Sequence, residues 1–490
     1  MNPLIVLVVF TVYFGILLLI SHITSRNANV ETYFTANRQS PWFVVAFGMI
    51  GASLSGITFI SVPGEVGNTY FYYFQLVLGY LVGYLLIAKI LLPLYYRLKL
   101  VSIYSYLGSR FGEISKKTGS SIFLLSQSIG ASLRLFVVAT VLHYTFFSHY
   151  NIPFFITVVV TILLIWIYTY KAGIKTIVWT DIFQTSMMLL SVFLIIYLIA
   201  RNLDLSASGI FDTVIHSKYS KIFNWDWNYE KNFYKQFLTG IVVAIAMNGL
   251  DQNEMQKSLT CPTLKEAQKN IYLYSIILVL TNIIFLSLGV LLYVYAEQNG
   301  IALARDGSGS FVDTDMLFPK LALNNMGILA GIIFLVGIAA AAFSSADSAL
   351  TALTTSFYTD FLDTARKSDE QKKKLRIKVN IGFSVLLLLI ILIFRAVNND
   401  SVINTVFKIA GFTYGPLLGL FAFGLLTQHQ IRDKWVPVIV VISPVLAWLL
   451  DLLIIEWTGF HIGYVLLLLN GGITFAGLWF IRKRQKENTE

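Results

Sequence analysis

Five small polar residues interrupt an apolar run in the stretch GASLSGIT, residues 51–58. A second run, IVVAIAMNGLDQNEMQ, begins apolar and then takes on Asn248, Gly249, Asp251, Gln252 and Asn253. A third, GIAAAAFSSADSALTALTTSFYTDFL, carries Ser344, Ser345, Asp347 and Ser348. At 100° per residue these four fall within an arc of about 160°, and Thr351 and Thr355 extend the stripe. Hydroxyls, a carboxylate and carbonyls released by a broken helix are hard oxygen ligands, the set preferred by a small hard cation. A lone serine in such a run more commonly bonds back to the carbonyl four residues earlier and assists packing. Four polar groups in five positions, one of them a carboxylate, point to the cation.

Two further charges sit in apolar surroundings, where a charge costs about 2.5 kcal/mol or more at mid-bilayer. Arg134, in SIGASLRLFVVATV, offers a fork that fits either a substrate carboxylate or a buried acid such as Glu65 or Asp251. Asp181, in VWTDIFQT, reads either as a cation ligand on an exit path or as an acid near a helix start. Glu254 is another intramembrane acid; Lys89 and Lys408 read as snorkelling side chains.

The elements that must hold these groups are membrane helices. The chain has 490 residues, 56% hydrophobic and 13% charged, with a mean hydropathy of +0.71. Soluble domains carry about 25% charged residues. Runs long enough to cross a bilayer number about thirteen, from residues 3–23 to 460–482. The first reads as a retained span, since MNPLIV has no basic stretch before it. With the N-terminus outside, Arg97, Lys99, Arg110, Lys116, Lys117, Lys257, Lys265, Lys269, the run 366–378 and the tail IRKRQKENTE all fall inside. That asymmetry predicts N-out, C-in. It also accounts for the net charge of +10 and excludes nucleic acid, because the charge is spread over loops on one side of a bilayer. The single cysteine, Cys261, permits no internal disulfide.

In lipid, a helix breaks only where protein or water satisfies its backbone. The two interruptions lie five spans apart, as in transporters built from inverted repeats with a binding site between discontinuous helices. Residues 41–200 and 235–427 are the expected repeats within one membrane domain spanning 1–490. Scattered histidines, and the lack of a nucleophile elbow, phosphate loop or zinc spacing, disfavour an enzyme. A channel needs a continuous polar lining, and a sensor normally appends a signalling domain.

The stretches GASLSGITFISVPGEVG, AGIKTIVWTDIFQT, LDQNEMQKSL, AAAFSSADSALTALTTSFYTDF and GFTYGPLLGLFAFG, in that order, resemble the sodium/solute symporter family. The resemblance implies an all-α membrane protein with a core of ten helices in two inverted repeats, one helix before the core and two after. It implies a main sodium site formed by the carbonyls of Gly51, Leu54 and Ala341 with the hydroxyls of Ser344 and Ser345. It implies a second cation site at Asp181, Asp347 and Ser348, where Asp347 replaces a hydroxyl of the family pattern. That carboxylate would strengthen a second sodium site or hold a proton instead. Similarity to the sialic acid branch implies substrate contacts at Ser55, Thr58, Phe71, Gln75 and Arg134; Asp251 joins them as a candidate from the second break.

The expectation is a symporter that uses the sodium gradient to import a small organic solute, one carrying a carboxylate because of Arg134. A sialic acid-like sugar acid or a monocarboxylate fits. A neutral sugar or vitamin as cargo, and a proton as coupling ion, are the alternatives. The partners are sodium, the solute and the lipid bilayer; oligomeric state is not legible.

Overall fold

A computed structural model describes residues 3–26, 28–171, 173–364, 366–397, 402–458 and 465–483. The basic tail beyond 483 and the side chain of Lys408 lie outside the described residues. The described chain is helical, with only two isolated β-bridges.

The principal helices are α1 (Pro3–Thr24), α2 (Trp42–Ser53), α3 (Gly56–Thr69), α4 (Tyr73–Arg97) and α5 (Glu113–Thr145). There follow α6 (Phe154–Thr169), α7 (Ile174–Asn202), α8 (Phe233–Gly249), α9 (Gln252–Ser258) and α10 (Leu264–Gln298). The last are α11 (Gly327–Phe361), α12 (Asp369–Val397), α13 (Val402–Leu426), α14 (Val436–Thr458) and α15 (Leu466–Phe480). Among the described residues, eight helices are long and apolar enough to cross a membrane. Two bent pairs raise the number to ten, and α6, α15 and residues 410–426 of α13 are shorter apolar helices.

Both interruptions read from the sequence are breaks. The axes of α2 and α3 differ by 59° and those of α8 and α9 by 72°. The first break follows from an extended Ser55 (φ −67°, ψ 169°), after which Gly56 starts a new helix. The second begins as a π-helical turn over Ile245–Gly249 and ends at an extended Asp251 (φ −105°, ψ 123°).

α11 is the most enclosed of the long spanning helices described. From Ala339 to Ser356 every residue is buried, which explains its small side chains. It packs against α7 on one side and α5 on the other. α4 and α8 cross at a glycine pair: a Cβ on Gly79 would come within 2.2 Å of the Phe237 carbonyl oxygen, and one on Gly240 within 2.0 Å of that of Leu76. Only residues without side chains permit that approach.

Candidate functional site

The first break lies against α7 and α11. The Gly51 amide donates to Thr185 Oγ1 at 3.0 Å, and that hydroxyl donates to the Gly48 carbonyl at 3.4 Å. Ser345 Oγ donates to the Ala52 carbonyl at 2.9 Å. A Cβ on Gly51 would lie 3.1 Å from Ser344 Oγ, so the backbone of the break meets the two serines directly. The Leu54 amide still closes the last turn of α2 through the Ile50 carbonyl. Among the described residues, no hydrogen bond reaches the carbonyl oxygens of Gly51 and Leu54. Buried carbonyls are nearly always paired, so two unpaired ones at a break whose Gly51 and Ala52 backbone meets two serine hydroxyls are an exception that calls for a ligand. Ala341 is fully buried on α11, one turn before Ser344 and Ser345.

Asp181 is buried and engaged through both oxygens. One accepts from Lys257 Nζ at 2.6 Å and the other from Ser344 Oγ at 2.6 Å. Lys257, counted above among loop cations, is 1% exposed. The reason is α9: all seven of its residues are buried, so the chain runs back into the protein before the loop begins. Asp347 accepts from Tyr168 Oη at 2.7 Å and from Ser348 Oγ at 3.2 Å.

Beside the first break is a cavity of about 140 Å³. Of the residues expected to contact substrate, Ser55, Thr58, Arg134 and Asp251 line it. Phe71 and Gln75 do not. The Gln75 amide donates to the carbonyls of Tyr72 and Lys231 and accepts from the Asn224 amide, so it fastens the loop 221–232 to the start of α4. The residues of α4 that face the cavity are Tyr73, Tyr80 and Tyr84, a helical stripe. Gln127, Asn248, Glu254, Tyr274 and Tyr414 complete much of the wall. The Tyr73–Tyr80–Tyr84 spacing was visible in the sequence as a signal; Gln127 and Tyr414 carried none.

Arg134 makes no ion pair within 4.0 Å among the described residues. Neither suggested acid is its partner at that range. Glu65 accepts from Thr314 Oγ1 at 3.0 Å. Asp251 caps α9, accepting from the amides of Asn253 (2.7 Å) and Glu254 (3.4 Å), and also accepts from the Tyr414 hydroxyl. Glu254 accepts only weak bonds, from Ser53 Oγ and from Asn253 Nδ2, both at 3.3 Å. Among the described residues, the cavity thus has on its walls a guanidinium and a carboxylate, Arg134 and Glu254, neither of which is in an ion pair.

At the second break two carbonyls are covered by tyrosine hydroxyls, while among the described residues no hydrogen bond reaches those of Ala246, Met247 and Asn248. Tyr95 Oη donates to the Gly249 carbonyl at 2.8 Å and Tyr104 Oη to that of Leu250 at 3.0 Å.

Comparison with known proteins agrees with this geometry. The profile of the sodium:solute symporter family matches residues 33–431. The sodium/sialic acid symporter SiaT of Proteus mirabilis is 26% identical over 451 residues, covering 89% of this chain and 87% of that protein. The sodium/sialic acid symporter NanT of Aliivibrio fischeri is 24% identical over 426 residues, with 85% and 82% covered. A solved Na+-coupled sialic acid symporter in a substrate-bound outward-open state superposes with a TM-score of 0.80 at 21% identity, over 97% of this chain and 98% of that one. With most of its length matched by the family profile, a multi-pass helical architecture and an oxygen-rich break, the chain belongs to the sodium:solute symporter family and is a sodium-coupled transporter rather than an enzyme.

Proposed function

We propose that this symporter imports a carboxylate-bearing solute, a sugar acid of the sialic acid type, with sodium bound between α2 and α11. The sodium ligands are the carbonyls of Gly51, Leu54 and Ala341 and the hydroxyls of Ser344 and Ser345. The observation that carries this reading is that, among the described residues, the carbonyls of Gly51 and Leu54 have no donor at a break whose Gly51 and Ala52 backbone meets those hydroxyls. Such oxygens replace the hydration shell of a small hard cation.

The solute occupies the neighbouring cavity. Its carboxylate pairs with Arg134, and its polar groups meet Ser55, Thr58, Gln127 and the tyrosines of α4. Leu54 belongs to both places, since it lines the cavity and offers its carbonyl to the ion. Coupling follows: an ion that fixes the break also fixes one wall of the solute site, and by linkage each ligand tightens the other. The sugar-acid assignment draws on the names of SiaT and NanT and on the unpaired Arg134.

The architecture is thirteen spans, obtained when each bent pair counts once and the three shorter apolar helices cross the membrane. Residues 41–200 and 235–427 form the two inverted repeats, each beginning with its broken helix. The N-terminus lies outside and the C-terminus in the cytoplasm. A vestibule of about 1480 Å³ supports that orientation: Arg38, Lys99, Lys171, Lys372, Lys373 and Arg376 line it, against Glu31, Asp369 and Glu370.

The test is uptake of labelled sialic acid into proteoliposomes with sodium, potassium or proton gradients imposed separately. Accumulation is expected with the sodium gradient alone. Equal accumulation driven by protons without sodium would refute the cation assignment; sodium-driven uptake of neutral sugars but not acids would refute the solute assignment.

A further inference from the structure

Lys257 and Asp181 form the one buried ion pair among the described residues, 2.6 Å apart with both side chains 1% exposed. The other four pairs each place an acid at the surface. The buried pair touches the proposed sodium seat, because Ser344 is at once a seat hydroxyl and the donor to the second oxygen of Asp181. Asp347 is also fully buried, with only Tyr168 and Ser348 as hydrogen-bond donors, and it lies within electrostatic reach of both Asp181 and Lys257. This pocket is where the family pattern leads one to expect a second cation.

A second ion in this pocket would have to compete for Asp181 with an ammonium already held at 2.6 Å and tethered to α9, and displacing that ammonium would leave it buried and unpaired.

We propose that Lys257 is a built-in cation that fills the second ion position beside the sodium seat, so that this carrier binds a single sodium. The proposal rests on the sodium seat described above.

The test is equilibrium binding of radiolabelled sodium to the purified full-length chain. One ion per wild-type chain is expected. Lys257→Met removes the resident ammonium while keeping an apolar stem of similar length, and it should bind two. The double variant Lys257→Met/Asp181→Asn should bind one again. Two ions per wild-type chain, or one per folded Lys257→Met chain, would overturn the proposal while leaving sodium coupling intact. No sodium bound by the wild type would overturn both this proposal and the sodium seat. If Lys257→Met alone does not fold, the double variant carries the test, and two ions or none there counts against the proposal.

Discussion

The two helix breaks share a geometry and differ in how their backbone is satisfied. Both interrupt a spanning helix, with bends of 59° and 72°. At the first, the carbonyls of Gly51 and Leu54 have no donor among the described residues, and two serine hydroxyls stand against the backbone of Gly51 and Ala52. At the second, Tyr95 and Tyr104 reach in from α4 and the segment after it to cover Gly249 and Leu250, and Asp251 caps the new helix. A break in a membrane helix is thus not by itself an ion site. On the proposed assignment, it becomes one where uncovered carbonyls stand beside hydroxyls from a neighbouring helix. The second break serves the solute cavity with side chains, while the first serves the ion with its backbone.

This contrast is open to direct attack. Ser344→Ala/Ser345→Ala should raise the sodium concentration for half-maximal uptake by roughly 100-fold, two lost ligands at about 1.4 kcal/mol each. An unchanged sodium requirement would mean that the first break is structural like the second. Arg134→Ala tests the space between the breaks. Loss of a charge-assisted pair of about 2 kcal/mol should weaken acid uptake by roughly 30-fold and leave sodium binding in place. If neutral and acidic solutes are lost alike, Arg134 is a structural residue. Tyr104→Phe should have the smallest effect on transport. Uncovering the Leu250 carbonyl costs about 1–3 kcal/mol of stability, read as a lower melting temperature, with the sodium requirement shifted less than about twofold. A larger sodium shift would show that the second break also handles the ion.

Both breaks were legible because glycines and short polar residues stand out in an apolar run, and lipid tolerates such an interruption only for a reason. The serine stripe of α11 was legible from its helical spacing. Lys257 was not. A charge near the end of a hydrophobic segment normally marks a loop, and nothing local shows that α9 stays buried or that Asp181, 76 residues earlier, waits for it. Phe71 and Gln75 lie outside the cavity for a related reason. Phe71 precedes α4, Gln75 lies off its Tyr73–Tyr80–Tyr84 face, and the amide of Gln75 is consumed by a loop more than 140 residues away. Tyr95, Tyr104 and Tyr414 looked like ordinary membrane aromatics, since a hydroxyl's target is set by tertiary contact and not by sequence neighbours.

The glycine contact between α4 and α8 has a mechanical meaning. Backbones that meet at Gly79 and Gly240 cannot slide without collision, so the tyrosine stripe and the residues of the second break move as a single rigid wall. Arg134 stands on the opposite wall, on α5, which packs with α11. A solute held by both walls is a strut between two stiff plates. How firmly it is grasped at each end then governs whether the plates rock together or apart, so the cargo itself helps to set the pace of the carrier.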